Sequence, residues 1–189
     1  MEALVETLDS GVAATIGVVL IASVLAAAWL VRWKRSVPRQ INRLIRSISV
    51  DALANVIIPD GMNGEIHIDH LLLTPKGLLL LDIKDLGGPV FAGDKLDFWT
   101  AGESGNRLKF NNPLPFLQDR TAAVSELAPG LPIDSRIVFT KDAAFPKGHP
   151  DRVTTLETLG EEYQSVDAEP NHAAVPPQWE TIKAAATQG

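Results

Sequence analysis

The 189-residue chain contains no cysteine, which excludes disulfides and thiolate metal sites and is consistent with a reducing compartment. It has no phosphate-binding loop ending in Gly-Lys-Ser/Thr, no dinucleotide glycine fingerprint and no nucleophile elbow. Nucleotide-triphosphate chemistry, dinucleotide redox chemistry and serine-hydrolase chemistry therefore have no local signature here. Histidine is scarce, and the one close pair, His67 and His70, is three residues apart on a predicted strand. Side chains at that spacing point to opposite faces and cannot share one zinc. An excess of positive charge is also missing. The chain is at −6, and setting aside three acids at the N-terminus and six basic residues between 32 and 46 leaves −9 on residues 47–189. Bulk electrostatics do not draw nucleic acid to such a domain, so any binding there needs a local site or a metal.

What the sequence does have is one long uncharged run between Asp9 and Arg32, rich in Val, Ala, Leu and Ile. A helix of that length would span roughly 33 Å, enough to cross a hydrocarbon core of about 30 Å. Trp29 and Trp33 stand at its C-terminal edge, where an aromatic belt forms. Glu2, Glu6 and Asp9 precede the run, and Arg32, Lys34, Arg35, Arg39, Arg43 and Arg46 follow it. Positive charge stays on the cytoplasmic side, so the expectation is a single-pass protein of the cell inner membrane, N-terminus outside and the remainder cytoplasmic. A cleaved secretory signal would carry its basic residues ahead of the apolar stretch.

The predicted organisation is an N-terminal tail (1–9), a transmembrane helix (10–33), a basic juxtamembrane amphipathic helix (34–49), a globular domain (50–163) and a flexible C-terminal tail (164–189). In the juxtamembrane helix Ile41, Leu44, Ile45 and Ile48 share one face, with Arg39, Arg43 and Arg46 opposite. That apolar face packs on the domain, lies on anionic lipid, or does each in turn along its length. Strands are predicted at Ala54–Ile58, Glu65–Leu73, Leu78–Lys84 and Leu96–Thr100. From Asn112 the pattern is helical, with Phe116, Leu117, Ala123, Val124 and Leu127 as the apolar stripe. A buried strand at Arg136–Thr140 and a short helix at Thr154–Tyr163 complete a mixed α/β domain. Pro170, Pro176 and Pro177, among small and polar residues, give the last 25 residues the look of unstructured chain.

The hairpin around Thr74-Pro75-Lys76-Gly77 carries the candidate chemistry. If Thr74 pairs with Gly77, paired residue numbers sum to 151. Asp69 then faces Asp82, His67 faces Lys84, and Glu65, His67, Asp69, Asp82 and Lys84 share one face. A one-residue bulge at Gly77 would instead pair His70 with Asp82 and mix charge into the apolar face, so the polar pattern favours the first register. Four consecutive leucines, Leu78–Leu81, predict a strand buried on both sides. Asp82 ends that strand, and two carboxylates facing each other across a sheet repel unless a cation lies between them. Oxygen ligands of this kind suit magnesium or manganese, and a lysine two residues on can orient water or stabilise charge on a phosphate.

These residues resemble a known family. Ile68-Asp69-His70, the hairpin with Pro75 and Gly77, and Asp82-Ile83-Lys84 are similar to the nuclease-related domain, NERD, assigned to the PD-(D/E)XK nuclease-like superfamily. The resemblance extends through Gly88, Gly93, Trp99, Asn112-Pro113, Gln118 and Ile137-Val138-Phe139-Thr140, and covers roughly residues 38–160. It implies a restriction-endonuclease-like mixed β-sheet flanked by helices, and such domains often follow a membrane helix. By carry-over Asp69 and Asp82 hold Mg²⁺ or Mn²⁺ with help from the Ile83 carbonyl, Lys84 positions the water, and Gln118 lies near the substrate phosphate. Asp82 stands where glutamate is usual, and the superfamily motif accepts either acid. A Gly-Glu pair usual on the first helix is replaced by Pro38-Arg39-Gln40-Ile41-Asn42, with Gln40 near the acid's place. Glu65 is the nearest substitute on the predicted face, about 13 Å from Asp69 along the strand. Two functions follow: a membrane-anchored, metal-dependent hydrolase of DNA phosphodiester bonds, or a catalytically silent nuclease-fold module binding nucleic acid or a protein partner at the bilayer.

Overall fold

The computed structural model describes residues 25, 37–103, 105–140, 142–164 and 175–189. The chain divides into two compact units, Met1–Gln40 and Ile41–Gly189. Apart from Leu25, the predicted transmembrane helix lies outside the described residues. Among those residues, no helix is long and apolar enough to cross a membrane. Residues 37–48 form helix α1, on which Gln40 is exposed. From Ile41 onward the predicted amphipathic pattern is borne out. Ile45 and Ile48 are buried, Ile41 and Leu44 pack beside them, and Arg43 and Arg46 face solvent.

The second unit is built on a six-stranded mixed sheet. Its strands are β1 (Asp51–Pro59), β2 (Glu65–Thr74), β3 (Gly77–Lys84), β7 (Ile133–Phe139), β9 (Val153–Thr155) and β10 (Thr187–Gln188), in the order β10-β1-β2-β3-β7-β9. From β10 to β3 neighbours are antiparallel, and β3-β7-β9 are parallel. A smaller sheet, ordered β6-β5-β4-β8, comprises β4 (Gly88–Phe91), β5 (Phe98–Ala101), β6 (Leu108–Asn111) and β8 (Ala143–Ala144). Helix α2 (Leu114–Leu127) links β6 to β7, α3 (Leu156–Gln164) follows β9, and α4 (Pro177–Ala185) precedes β10.

The leucine run of β3 shows why the large sheet is covered on both faces. Leu78 and Leu80 belong to a core shared with Leu117 and Val124 of α2, Trp179 and Ile182 of α4, and Trp99 of the small sheet. Leu79 and Leu81 belong to a second core with Ile45 and Ile48 of α1 and Leu159 of α3. All four leucines are at most 2% exposed. The observed architecture is thus the expected mixed α/β domain, with helices on both sides of the main sheet.

The β2–β3 hairpin has the register of sum 151, running from Thr74–Gly77 to His70–Leu81. Gly77 makes this possible beside Pro75. It adopts φ +117°, and a Cβ there would lie 2.4 Å from the carbonyl oxygen of Pro132. Lys76 N–H donates to Thr74 Oγ1, whose hydroxyl donates to the Gly77 carbonyl.

Two expectations are corrected. The C-terminal residues from 175 onward are ordered: Trp179 and Ile182 are fully buried, and β10 pairs with β1. The Trp179 indole donates to Asp51 at 2.8 Å. Their spacing of three on α4 outweighs the proline- and alanine-rich composition around them. Phe116, assigned to the apolar stripe of α2, is instead 56% exposed, whereas Leu117, Ala123 and Val124 are buried as expected.

Candidate active site

Asp82 is the last fully buried position of β3, on the face of Leu78 and Leu80, and is 1% exposed. A carboxylate so placed demands compensation. Lys84, two residues on and on the same face, puts its Nζ 2.7 Å from Asp82 Oδ1. From the other side Arg120 of α2 brings a guanidinium nitrogen to 3.3 Å from Oδ2. Even so, Oδ2 is buried and accepts no well-formed hydrogen bond. Burial pushes the Asp82 carboxyl above the usual carboxylate range. Lys84 and Arg120 pull it down, and the neighbouring Asp69 carboxyl pushes it further up.

Asp69 stands on β2 one position beyond the last ladder pair, so its side chain takes over where backbone pairing stops. Its Oδ2 accepts from the Ile83 N–H at 3.3 Å, and its Oδ1 lies 3.3 Å from His67 Nδ1. His67 in turn lies 2.8 Å from the side-chain oxygen of Asn55. Asp69 and Lys84 thus both stand beside Asp82, but the expected strand pairs Asp69–Asp82 and His67–Lys84 are not formed, since the ladder ends at His70–Leu81.

The wider face of five polar residues is not formed either. Ile66 and Ile68 pack into the same core as Leu71 and Leu73, which strict alternation along β2 forbids. Burial on β1 changes parity in the same way, from Leu53 to Val56 and Ile58. The change falls where Asn55 takes φ +54°, a left-handed conformation that Asn tolerates better than most residues. Glu65 and His67 consequently lie on the outward side, and both are exposed. Glu65 faces Pro59 at the far end of the strand and does not replace the missing helix acid.

Asp82 and Lys84 open into a cleft of about 300 Å³ lined also by Leu86, Phe110, Asn111, Pro113, Phe116 and Arg120. Pro113 forms part of one wall, and Asn112 anchors it from behind. Asn112 is 8% exposed and its amide donates to the Asp94 and Leu96 carbonyls, while its side-chain oxygen accepts from Leu114 N–H at the start of α2. Trp99 fastens the same loop through its indole donor to the Gly93 carbonyl. These residues fix the angle at which α2 carries Arg120 to Asp82. Gln118 is exposed on α2 and is not among the residues lining the cleft.

Arg120 escaped the sequence reading, although its position was informative. It lies three residues after Leu117 and four before Val124, inside the buried stripe of α2. A charge there requires a buried partner.

The donor chemistry fits a magnesium-type ion. Such ions take one or two carboxylates and fill the remaining positions with water and phosphate oxygens. Asp82 Oδ2, buried without a good hydrogen bond, and the adjacent Asp69 carboxylate supply that pair. Among the described residues, no group of three His, Cys, Asp or Glu is placed to hold a metal. An all-protein cage is therefore absent from them.

Residues 32–140 of the chain match the family model for the nuclease-related domain, NERD. No curated protein and no solved structure matches the chain. The matched stretch holds Asp69, Asp82, Lys84, Arg120 and every cleft residue, and it spans more than half of the sequence, so the chain belongs to the NERD, nuclease-related domain, family.

Proposed function

We propose that this protein is a divalent-metal-dependent nuclease that hydrolyses DNA phosphodiester bonds, tethered by residues 10–33 to the cytoplasmic face of the inner membrane. The PD-(D/E)XK superfamily and its restriction-endonuclease-like core supply the frame for this reading. The observation that carries it is the buried Asp82 held against Lys84 beside Asp69, at the mouth of an open cleft.

Asp69 and Asp82 would hold Mg²⁺ or Mn²⁺, with the Ile83 carbonyl as a further oxygen donor. When bound, the ion would supply Lewis-acid charge at the phosphate and favour deprotonation of the attacking water. The remaining work belongs to the chain. Lys84, 28% exposed, reaches from Asp82 toward the cleft, where its ammonium orients the water and stabilises the negative charge growing on the phosphate. Arg120 offers a planar fork of donors to the same oxygens. As the water oxygen bonds to phosphorus it gives up a proton to solvent in the open cleft, the bond to the leaving sugar oxygen breaks, and that oxygen takes up a proton from solvent. The low polarity of Leu86, Phe110 and Phe116 strengthens each of these charge interactions.

The second reading is a catalytically silent module that binds nucleic acid or a protein partner at the bilayer. It is favoured by one observation: Gln40 stands where the family usually carries an acid, and no third carboxylate among the described residues joins Asp69 and Asp82. Calorimetric titration of magnesium into the full chain in detergent separates the readings. The nuclease binds one ion with a heat that disappears in Asp82→Ala. A parent that binds no magnesium at millimolar concentration is the silent module.

A further inference from the structure

The small sheet has one face in the core and one in water. Val90, Trp99 and Ala101 point inward and are at most 2% exposed. The pairs Phe91–Thr100, Thr100–Lys109 and Phe98–Asn111 place Phe91, Phe98, Thr100, Lys109 and Asn111 together on the outward face. Phe98 is 49% exposed, although an aromatic ring on a water-facing strand gains little by burial. Both rings carry cations. Lys109 Nζ lies 3.9 Å from the Phe98 centroid, and Arg107 and Lys147 approach the Phe91 ring at 5.0 and 5.8 Å.

Two features give this face a direction and a sign. Asn111, directly opposite Phe98, lines the cleft of Asp82 and Lys84, so the aromatic face runs into the candidate active site. None of the outward strand positions is Asp or Glu, in a domain whose residues 47–189 carry −9. An apolar patch built for a protein partner has no need of a cation over each ring. A polyanion with exposed aromatic faces does, because its phosphates meet the cations while its bases stack on the rings.

We propose that the outward face of β4–β5–β6 is a stacking platform for single-stranded DNA, feeding an unpaired strand into the cleft. This rests on the nuclease reading and narrows it by naming the substrate form. Sheet spacings put Phe91 and Phe98 roughly 8 Å apart, room for two bases side by side. In a duplex the base faces are already stacked and the rings have nothing to bind.

The test is fluorescence anisotropy with the full chain in detergent, in calcium, using a labelled oligothymidine of about 16 nucleotides and a duplex of the same length. The single strand binds more tightly than the duplex. Phe91→Ala with Phe98→Ala weakens single-strand binding by about tenfold or more, and Phe91→Trp with Phe98→Trp keeps it. Replacing Arg107, Lys109 and Lys147 with Gln makes the dependence of log Kd on log salt shallower by about 2. Melting temperatures of the Phe variants stay with the parent, since both rings are on the water-facing side. Equal affinity for single strand and duplex, or unchanged binding by the double Ala variant, overturns the platform. A parent that cuts DNA while the double Ala variant shows the same KM also removes the platform and leaves the nuclease standing. Tight single-strand binding without cleavage in magnesium or manganese keeps the platform and removes the nuclease.

Discussion

Removing Arg120 tests how the buried carboxylate is balanced. Asp82 is 2% exposed at its side chain and has two cations, Lys84 at 2.7 Å and Arg120 at 3.3 Å. Breaking a buried ion pair by deleting one partner destabilises by about 3–5 kcal/mol, because the remaining charge is left uncompensated. Here Lys84 stays, and the Arg120 side chain retains 19% exposure, so part of the loss is relieved. Arg120→Met, which keeps most of the apolar stem, is expected to lower stability by about 2 kcal/mol, near the range for charged hydrogen bonds. For a domain of this size that is a fall in Tm of about 4–8 °C. The informative measurement is the cycle with Asp82→Asn, by denaturant unfolding in the absence of divalent metal. In the Asp82→Asn background the same change at position 120 should cost less than about 0.5 kcal/mol, giving a coupling of at least about 1.5 kcal/mol. Strict additivity, with the same loss in both backgrounds, would make Arg120 a packing residue with no electrostatic tie to Asp82.

Trp179→Ala removes a fully buried ring and its hydrogen bond to Asp51, so thermal melting should report a loss of about 3–5 kcal/mol, whereas a truly unstructured tail would show none. Burial holds His70 below the usual histidine range, against the opposing pull of Asp69. Its contribution is thus complete above the unfolded value of 6.5 and is lost as pH falls toward the folded one, so His70→Leu should flatten the stability–pH profile below pH 6.5 in equilibrium unfolding. A topology reporter fused after Gly189 should be active only on the cytoplasmic side, given six basic residues after the apolar run and none before it. Activity on the exported side would reverse the orientation.

The hairpin was legible because its pattern is two-dimensional. Leu78–Leu81 bounded by Thr74 and Lys84 leaves a single register that keeps charge out of both cores, and that register is found. The parity change at Asn55 and Asp69 was not legible. It depends on one backbone angle at Asn55, and no composition marks a left-handed residue inside a strand. It matters for the site, since it turns Glu65 and His67 outward and leaves Asp69 as the acid beside Asp82. The helix at Pro177–Ala185 was hidden for a different reason: its flanks are Pro- and Ala-rich, and only two of its residues, Trp179 and Ile182, are buried. Arg120 could have been found, because a charge inside the stripe Leu117–Val124 has no structural excuse without a partner. The strand β6 was missed since three of its four side chains are exposed and give no periodic burial.

Whether the cleft of Asp82 and Lys84, with Asp69 beside it, is hydrolytic is decided by single-turnover cleavage of labelled DNA by the full chain and by Lys84→Ala. The parent should cleave in magnesium or manganese but not calcium, whose looser coordination shell places the water poorly. Lys84→Ala should be slower by about a hundredfold or more with DNA affinity little changed, because that ammonium acts on charge present only in the transition state. Cleavage by Lys84→Ala at the parent's rate, or no cleavage of single-stranded or duplex DNA by the parent in either metal, would contradict a hydrolytic cleft.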